Sequence, residues 1–305
     1  METKNLKLLV VGSSNTDMVI QTGRLPRPGE TVLGGAFFMN AGGKGANQAV
    51  AAARLGGRVS LICKTGSDLF GRQAQQLFRD EGIDTSCVFT DEYHPSGVAL
   101  IMVDEQAENC IAVASGANAR LTPADLSAIA SVIRQADLVL MQLEIPTETV
   151  AYVAQTAFDA GKKVILNPAP AQALPETLLR QLYLITPNET EAEQLSGIPV
   201  VDLPSAEKAA RAIAAQGVPN VVVTLGEKGA LIYSGGQVET TPACPVKAVD
   251  TTAAGDVFNG ALAVALAEKR DLSAAVHFAS RAAAISVTRC GAQASAPYRR
   301  EVDAF

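Results

Sequence analysis

The chain lacks most of the familiar motifs for building a site. No G-x-x-x-x-G-K-[ST] occurs and no G-x-G-x-x-G follows the first strand-like run, which excludes the P-loop and the dinucleotide fingerprint. Only two histidines are present, His94 and His277, and neither forms a ligand pair or a nucleophile relay with nearby motifs, so both are assigned structural or surface roles. The five cysteines, Cys63, Cys87, Cys110, Cys244 and Cys290, are odd in number, widely spread and without a C-x-x-C pair. Neither a disulfide framework nor a zinc site follows from them, and a reducing compartment fits best. A basic cluster is also missing, and the net charge is −6. Nucleic acid and anionic membrane surfaces are therefore not expected partners, and a small molecule is. No apolar stretch is long enough to span a bilayer, and "METKNLKLLVVGSSNTD" holds only a short apolar run before polar residues, so a soluble, untargeted, cytoplasmic protein is expected. Tandem repeats, low-complexity segments and long polar linkers are absent too.

What is present is ample core material: 305 residues at 48% hydrophobic content, enough for one large α/β domain or two small ones. Short apolar runs recur as strand candidates: "LKLLVVGS", "VSLICKTG", "LVLMQLE", "KVILNPAP", "YLITPN" and "VVVTLG". Helical patterns lie between most of them: "ANQAVAAARLGG", "LFGRQAQQLFRDEG", "TPADLSAIASVIRQA", "TVAYVAQTAFDAG" and "SAEKAARAIAAQG", several ending at a C-cap glycine. Strand alternating with helix predicts a doubly wound α/β domain, its sheet mostly parallel and covered on both faces. Two segments break the rhythm, 14–40 and 94–115, both hairpin-like and without crossover helices. They are expected to pair as a small β-sheet lid over a core made of 1–13, 41–93 and 116–305. Phe37, Phe38 and Met39 can form an exposed lid face for dimer contacts or ordinary lid core, and "YRRE" from Tyr298 reads as a solvated C-terminal helix.

Ligands of open parallel sheets sit at the carboxyl ends of the strands. Those ends carry Ser14, Asn15 and Asp17; Glu144; Asn167; Asn188 and Glu191; and Gly226. "DTTAAGD", Asp250 to Asp256, joins the same rim after the strand-like run "CPVKAV". Its final acid falls where "VFNGALAVALAEK" turns helical. Asp256 can be an N-cap, or it can be a base beside an anion held by backbone N–H groups that the small residues leave open. "AGGKGANQA" opens a helix with glycines, a lysine and an asparagine, either a plain glycine-rich turn or a differently built ligand loop. Asn15 and Asp17 read locally as an Asx turn, and "TPNETEAE" as an acidic helix start.

Five ordered motifs, "RLPRPGET", "AGGKGANQAVAAARLG", "PNETEAEQLSG", "VTLGEKGAL" and "AVDTTAAGDVFNGAL", together resemble the ribokinase branch of the PfkB sugar kinase family, and "TRCGAQASAPYRREVDAF" is similar to its C-terminal segment. The resemblance runs from Val10 to the end. It implies a β lid over an α/β domain, and ATP phosphorylating a sugar hydroxyl, with the 5-hydroxyl of D-ribose as acceptor; another sugar or a nucleoside, or a silent sugar-binding protein, is the alternative. By the same resemblance Asp256 is the base, and Ala253, Ala254 and Gly255 with Asp256 form the anion hole. Ala253 replaces the first glycine of the usual D-T-T-G-A-G-D, and alanine resists φ > 0.

Sugar contacts are implied at Asn15, Asp17, Gly42, Gly43, Lys44, Asn47, Glu144 and Asp256. Nucleotide contacts are implied at Asn188, Thr224, Leu225, Gly226, Glu227, Lys228, Gly229, Gly255 and Ser280, with Asn188 and Glu191 placing Mg2+ and phosphate. A potassium or similar activating ion is implied at Asp250, Thr252, Ser286, Arg289, Gly291 and Ser295, and a homodimer through the lid.

Overall fold

The structure is a computed structural model that describes residues 7–106 and 108–305. Residues 1–6 of the expected core segment and residue 107 of the expected lid lie outside the described residues. In chain order the elements are β1 Lys7–Val11, β2 Asn15–Gln21, β3 Ala36–Gly42, α1 Lys44–Arg54, β4 Arg58–Gly66, α2 Leu69–Asp80, β5 Val88–Asp91, β6 Gly97–Val103 and β7 Asn109–Ala114. There follow α3 Pro123–Ser127, α4 Ala130–Gln135, β8 Leu138–Met141, α5 Thr147–Asp159, β9 Lys163–Leu166, α6 Glu176–Leu179, β10 Leu184–Ile185, α7 Glu189–Ser196 and α8 Leu203–Ala215. The chain closes with β11 Asn220–Thr224, β12 Ala230–Ser234, β13 Gln237–Thr241, α9 Ala254–Ala267, α10 Leu272–Ser286 and α11 Arg299–Ala304.

Nine strands form the main sheet in the order β13-β12-β11-β10-β9-β8-β1-β4-β5. All neighbours are parallel except β11–β12 and β12–β13. Side chains alternate across a strand, so β1 sends Leu8 and Val10 to one face and Leu9 and Val11 to the other, where two separate cores form. One is completed by α1, α9 and α10 and the other by α5 and α8. The expected doubly wound α/β fold is what the chain adopts.

Local signals explain most boundaries. Asp68 caps α2 by accepting from Gly71 N–H (2.8 Å), and Asp202 caps α8 with Pro204 in its first turn. "TPADLSAIASVIRQA" is two helices rather than one, because the β-branched Ile129 takes φ −114°, outside the helical region. "CPVKAV" is not a strand. Pro245 within the run and Pro242 just before it cannot donate to a ladder, and the N–H groups of Val249 and Asp250 donate instead to the Val287 carbonyl at the end of α10 (2.7 and 3.2 Å).

A second, four-stranded sheet has the order β3-β2-β6-β7. It takes its strands from the two segments that break the α/β rhythm, and β3 runs to Gly42, two residues past the expected limit at 40. β2 starts four residues after β1 ends, so the small sheet springs from the carboxyl end of β1. That end is also a topological switch point, because β1 has β8 on one side and β4 on the other.

Candidate active site

The polar residues after β1 and β8 meet the start of α1 at this switch point. Glu144 Oε2 accepts from Ser13 Oγ (2.5 Å) and from the Lys44 backbone N–H (3.1 Å), so a carboxylate sits at the N-terminus of α1, where the helix dipole favours it. Asn15 pairs with Gly42 across β2 and β3, and its Oδ1 accepts from Asn118 Nδ2 (2.8 Å). A side chain at Gly42 would stand 2.2 Å from the Asp17 carboxylate, so any larger residue there would displace that carboxylate. From the opposite side α9 brings Asp256, only 6% exposed. Its Oδ2 accepts from Asn47 Nδ2 and its Oδ1 from Gln48 Nε2, both at 2.9 Å.

Asp256 is not the cap of its helix. Ala253 takes that place with φ 58° and ψ 14°, and Asp256 is the third helical residue, turned inward. Alanine therefore does adopt the left-handed conformation that it resists. Ala253→Gly is expected to stabilise the protein by about 0.5–1 kcal/mol, the relief of that strain less the added entropy of an unfolded glycine. Chemical denaturation tests this, and a loss of stability would contradict it. The N–H of Ala254 donates to the Thr251 carbonyl (3.2 Å), whereas those of Gly255 and Asp256 find no acceptor among the described residues. A side chain built at Gly255 would meet nothing within 4 Å, so the helix start is open in front.

The charges are closely coupled. Burial pushes the Asp256 carboxyl up from the ordinary carboxylate range, opposed by the Lys44 charge and the Asn47 and Gln48 donors and reinforced by Glu144. A helix start favours the ionised form of an acid in its first turn, but burial outweighs it here. Asp17 is pushed up to about 6, first by burial, then by Glu144 and Asp256, against Lys44. Burial alone would lower the Lys44 ammonium, but Asp256, Glu144, Glu191 and Asp17 together raise it.

Beyond α9 the rim carries a second group. Asn188 and Glu191 form a reciprocal capping box on α7: Asn188 Oδ1 accepts from Glu191 N–H (2.8 Å) and Glu191 Oε2 from Asn188 N–H (2.9 Å). Glu191 is nonetheless buried, and burial raises its pKa despite the Asn188 N–H and Lys44. Asn188 bridges to Thr224, and residues 224–229 make the tight turn between β11 and β12 with Gly226 and Gly229 at positive φ. Leu225 is buried in the core, so only its backbone faces the rim. Glu227 and Lys228 are exposed, Lys228 pairing with Glu189 at 3.3 Å. Ser280 is half-buried on α10, which packs against β12 and β13.

The loops behind α9 are tied by Asp250, whose carboxylate accepts from Thr252 N–H (2.9 Å) and Gly291 N–H (2.8 Å). Burial would raise its pKa, but these bonds hold it below the usual range. The side chains of the other candidates are engaged elsewhere. Ser286 Oγ donates to the Ala283 carbonyl, Ser295 Oγ to the Ala292 carbonyl (both 2.8 Å), and Arg289 pairs with Glu301 at 2.6 Å. Carbonyl oxygens are what these loops have to offer a cation. Among the described residues no cluster of three or more His, Cys, Asp or Glu forms a divalent site.

Sequence reasoning missed Ser13, Gln48, Asn118 and Gln142. The signal was available for Gln48: a glutamine followed by the buried run of Ala49 to Ala52 on the same helix must find partners. His94, exposed, lies 3.0 Å from Asp91, and His277 is exposed on α10, one turn before Ser280. "YRRE" is indeed the start of the C-terminal α11.

This doubly wound fold, with its small second sheet and a buried aspartate at an open helix start, is that of the sugar kinases. Residues 5–299 match the pfkB family carbohydrate kinases, and the chain belongs to that family. It is 46% identical to a ribokinase of Haemophilus influenzae, over 98% of this chain and 97% of that one. A deoxyribokinase of Salmonella typhi is 39% identical, over 96% of each chain. Arabidopsis thaliana ribokinase, solved with ribose and ATP, superposes with a TM-score of 0.93 at 33% identity, covering 98% of both chains. The expectation of an ATP-dependent sugar kinase holds. No helix among the described residues is long and apolar enough to cross a membrane.

Proposed function

We propose that this chain phosphorylates D-ribose at its 5-hydroxyl with ATP, giving D-ribose 5-phosphate and ADP. The observation that carries the reading is Asp256, buried beside the open N–H groups of α9 and within the same charge cluster as Asp17, Lys44 and Glu144. Asn15, Asp17, Gly42, Gly43, Lys44, Asn47 and Glu144 hold the sugar hydroxyls. A polyol needs several fixed partners, since each buried hydroxyl left unpaired costs about 1–3 kcal/mol. Asp256 takes the proton of the 5-hydroxyl as that oxygen bonds to the γ-phosphorus, while the bond to the bridging oxygen breaks and its electrons leave with ADP. The N–H groups of Gly255 and Asp256 face the charge that develops, with Ala253 and Ala254 shaping the turn. Asn188, the 224–229 turn, Gly255 and Ser280 receive the nucleotide.

Magnesium fits beside Asn188 and Glu191, since Glu191 is a buried carboxylate whose pKa is raised; when bound, the ion neutralises phosphate charge and typically keeps several waters. Glu191→Gln preserves the capping box and is expected to raise the magnesium concentration for half-maximal rate about tenfold. An unchanged magnesium titration would contradict that role. The Asp250 and 286–295 loops fit a monovalent cation through their carbonyls, with Thr252, Ser286, Arg289, Gly291 and Ser295 as its surroundings. Segments 14–40 and 94–115 form a lid domain over the core of 1–13, 41–93 and 116–305. Its exposed apolar residues, Phe37 and Ile111 among them, support a homodimer formed through the lids. The negative charge and reduced cysteines support a cytoplasmic enzyme of small molecules.

The deoxyribokinase likeness supports a second reading, 2-deoxyribose as acceptor. ADP release from MgATP in potassium buffer, with D-ribose set against 2-deoxyribose, other sugars and nucleosides, separates them. Selective turnover of ribose is expected, and selective turnover of deoxyribose would overturn the substrate and keep the chemistry.

A further inference from the structure

Beneath Asp256 lies a row of buried polar side chains. The first residues after β8, β9 and β10 are Gln142, Asn167 and Thr186, one from each of three neighbouring strands, and all three are buried. Gln48, fully buried on α1, meets this row. Its Nε2 donates both to Asp256 Oδ1 (2.9 Å) and to Asn167 Oδ1 (3.1 Å). Its Oε1 accepts from Gln142 Nε2 at 2.5 Å. The row continues from Asn167 Nδ2 to the Thr186 carbonyl (3.2 Å), and from Thr186 Oγ1 to Asn259 Oδ1 (2.6 Å). Asn259 Nδ2 closes the circuit on the Gly255 carbonyl (2.8 Å), one residue before Asp256.

Orientation is determined within this circuit. If Gln48 turned its amide over, its oxygen would face the Asp256 carboxylate and Asn167 Oδ1, and its nitrogen would face that of Gln142. If Gln142 turned over instead, two carbonyl oxygens would meet. Gln142 keeps its donor toward Gln48 although its own Oε1 has no donor among the described residues. That oxygen occupies the space left by Gly12, where a Cβ would lie 2.0 Å from it. A buried unpaired oxygen is tolerated so that the donor points one way.

We infer that Gln48, oriented by Gln142, is a positioning residue that holds Asp256 Oδ1 inward and so leaves Oδ2, beside Asn47, as the oxygen that takes the sugar proton. The inference rests on the reading of Asp256 as the base. Gln48 is beneath the carboxylate and fully buried, so its part is to fix the base and to favour its ionised form by donating to it.

Gln48→Met keeps the volume and removes both donors. It is expected to lower kcat about tenfold with the KM for sugar changed less than about threefold. The acid limb of the pH–rate profile is expected to move up, because the ionised carboxylate has lost a donor while Lys44, Glu144, Asp17 and Glu191, which also act on Asp256, are unchanged. Gln142→Met leaves Gln48 in place but free to turn, so a smaller change in the same direction is expected. If Gln142 acts through Gln48, the double variant is no slower than Gln48→Met alone. Additive losses, or an acid limb that stays in place in the variants, would overturn the inference. Should Gln48→Met fail to fold by circular dichroism, the pH profile of Gln142→Met decides alone. Asp256→Asn separates the two levels. If it retains full turnover, the base reading fails; if its kcat falls by about 10² or more while the glutamine variants keep wild-type kcat and pH profile, only this inference fails.

Discussion

Asp256→Asn is expected to lower kcat by about 10² to 10⁴ while calorimetry shows sugar binding within a few-fold of the wild type. The size follows from what is removed. Asparagine fills the same space and can accept one hydrogen bond, but it cannot take the proton of a hydroxyl. The open N–H groups at Gly255 and residue 256 and the cluster of sugar-facing residues remain, so positioning and charge stabilisation survive and a residual rate persists. Because Asn47 and Gln48 both donate to the carboxylate, an amide at 256 leaves one donor facing an N–H. The fold tolerates this because the substitution also removes a buried acid whose pKa is raised. Full retention of turnover would show that Asp256 is not the base.

Asp17→Asn is expected to weaken sugar binding about 100-fold and yet to stabilise the sugar-free protein above about pH 6. Asp17 is expected to accept from sugar hydroxyls, and charge-assisted bonds of that kind are worth about 1.5–3 kcal/mol each. The stability effect has the opposite sign. The Asp17 carboxyl is pushed up to about 6 from its ordinary 3.8, by burial first and then by Glu144 and Asp256. Between those values the folded protein keeps a proton that the unfolded chain has lost, so stability falls as pH rises through the window and stays low above it. Asparagine never ionises and escapes this loss, of order 3 kcal/mol above about pH 6 and nothing well below 3.8. Denaturant melts across that range test it, and a variant less stable than wild type at neutral pH would contradict it. The wild-type site is then strained when empty, and bound hydroxyls are what the carboxylate lacks.

The strands and the rim were legible because they depend on local pattern. Leu8 to Val11 is apolar throughout because both faces of β1 are covered, and the polar residues after each strand mark the carboxyl edge. The Gly-Gly-Lys and Asn-x-x-Glu motifs open α1 and α7 as their letters suggest. "CPVKAV" misled because its apolar residues outweighed Pro245, and only the fold reveals that α10 offers the Val287 carbonyl to that segment. The letters of "DTTAAGD" read alone favour a cap over a base, and the difference is one turn of register: Ala253 at φ 58° moves the cap back three residues and swings Asp256 into the core. The circuit through Gln48, Gln142, Asn167 and Thr186 joins residues scattered over most of the chain. Long-range side-chain pairing of that kind leaves no periodicity in the sequence.

Phosphorus NMR of the product formed from MgATP and D-ribose would show whether transfer happens and where the phosphate goes. A phosphate on the 5-oxygen couples to two methylene protons, so a new phosphomonoester signal split into a triplet is expected, growing as ADP appears and growing about 10² to 10⁴ times more slowly with Asp256→Asn. A doublet would place the phosphate on a carbon bearing one proton, and no new phosphomonoester at all would remove D-ribose as the substrate.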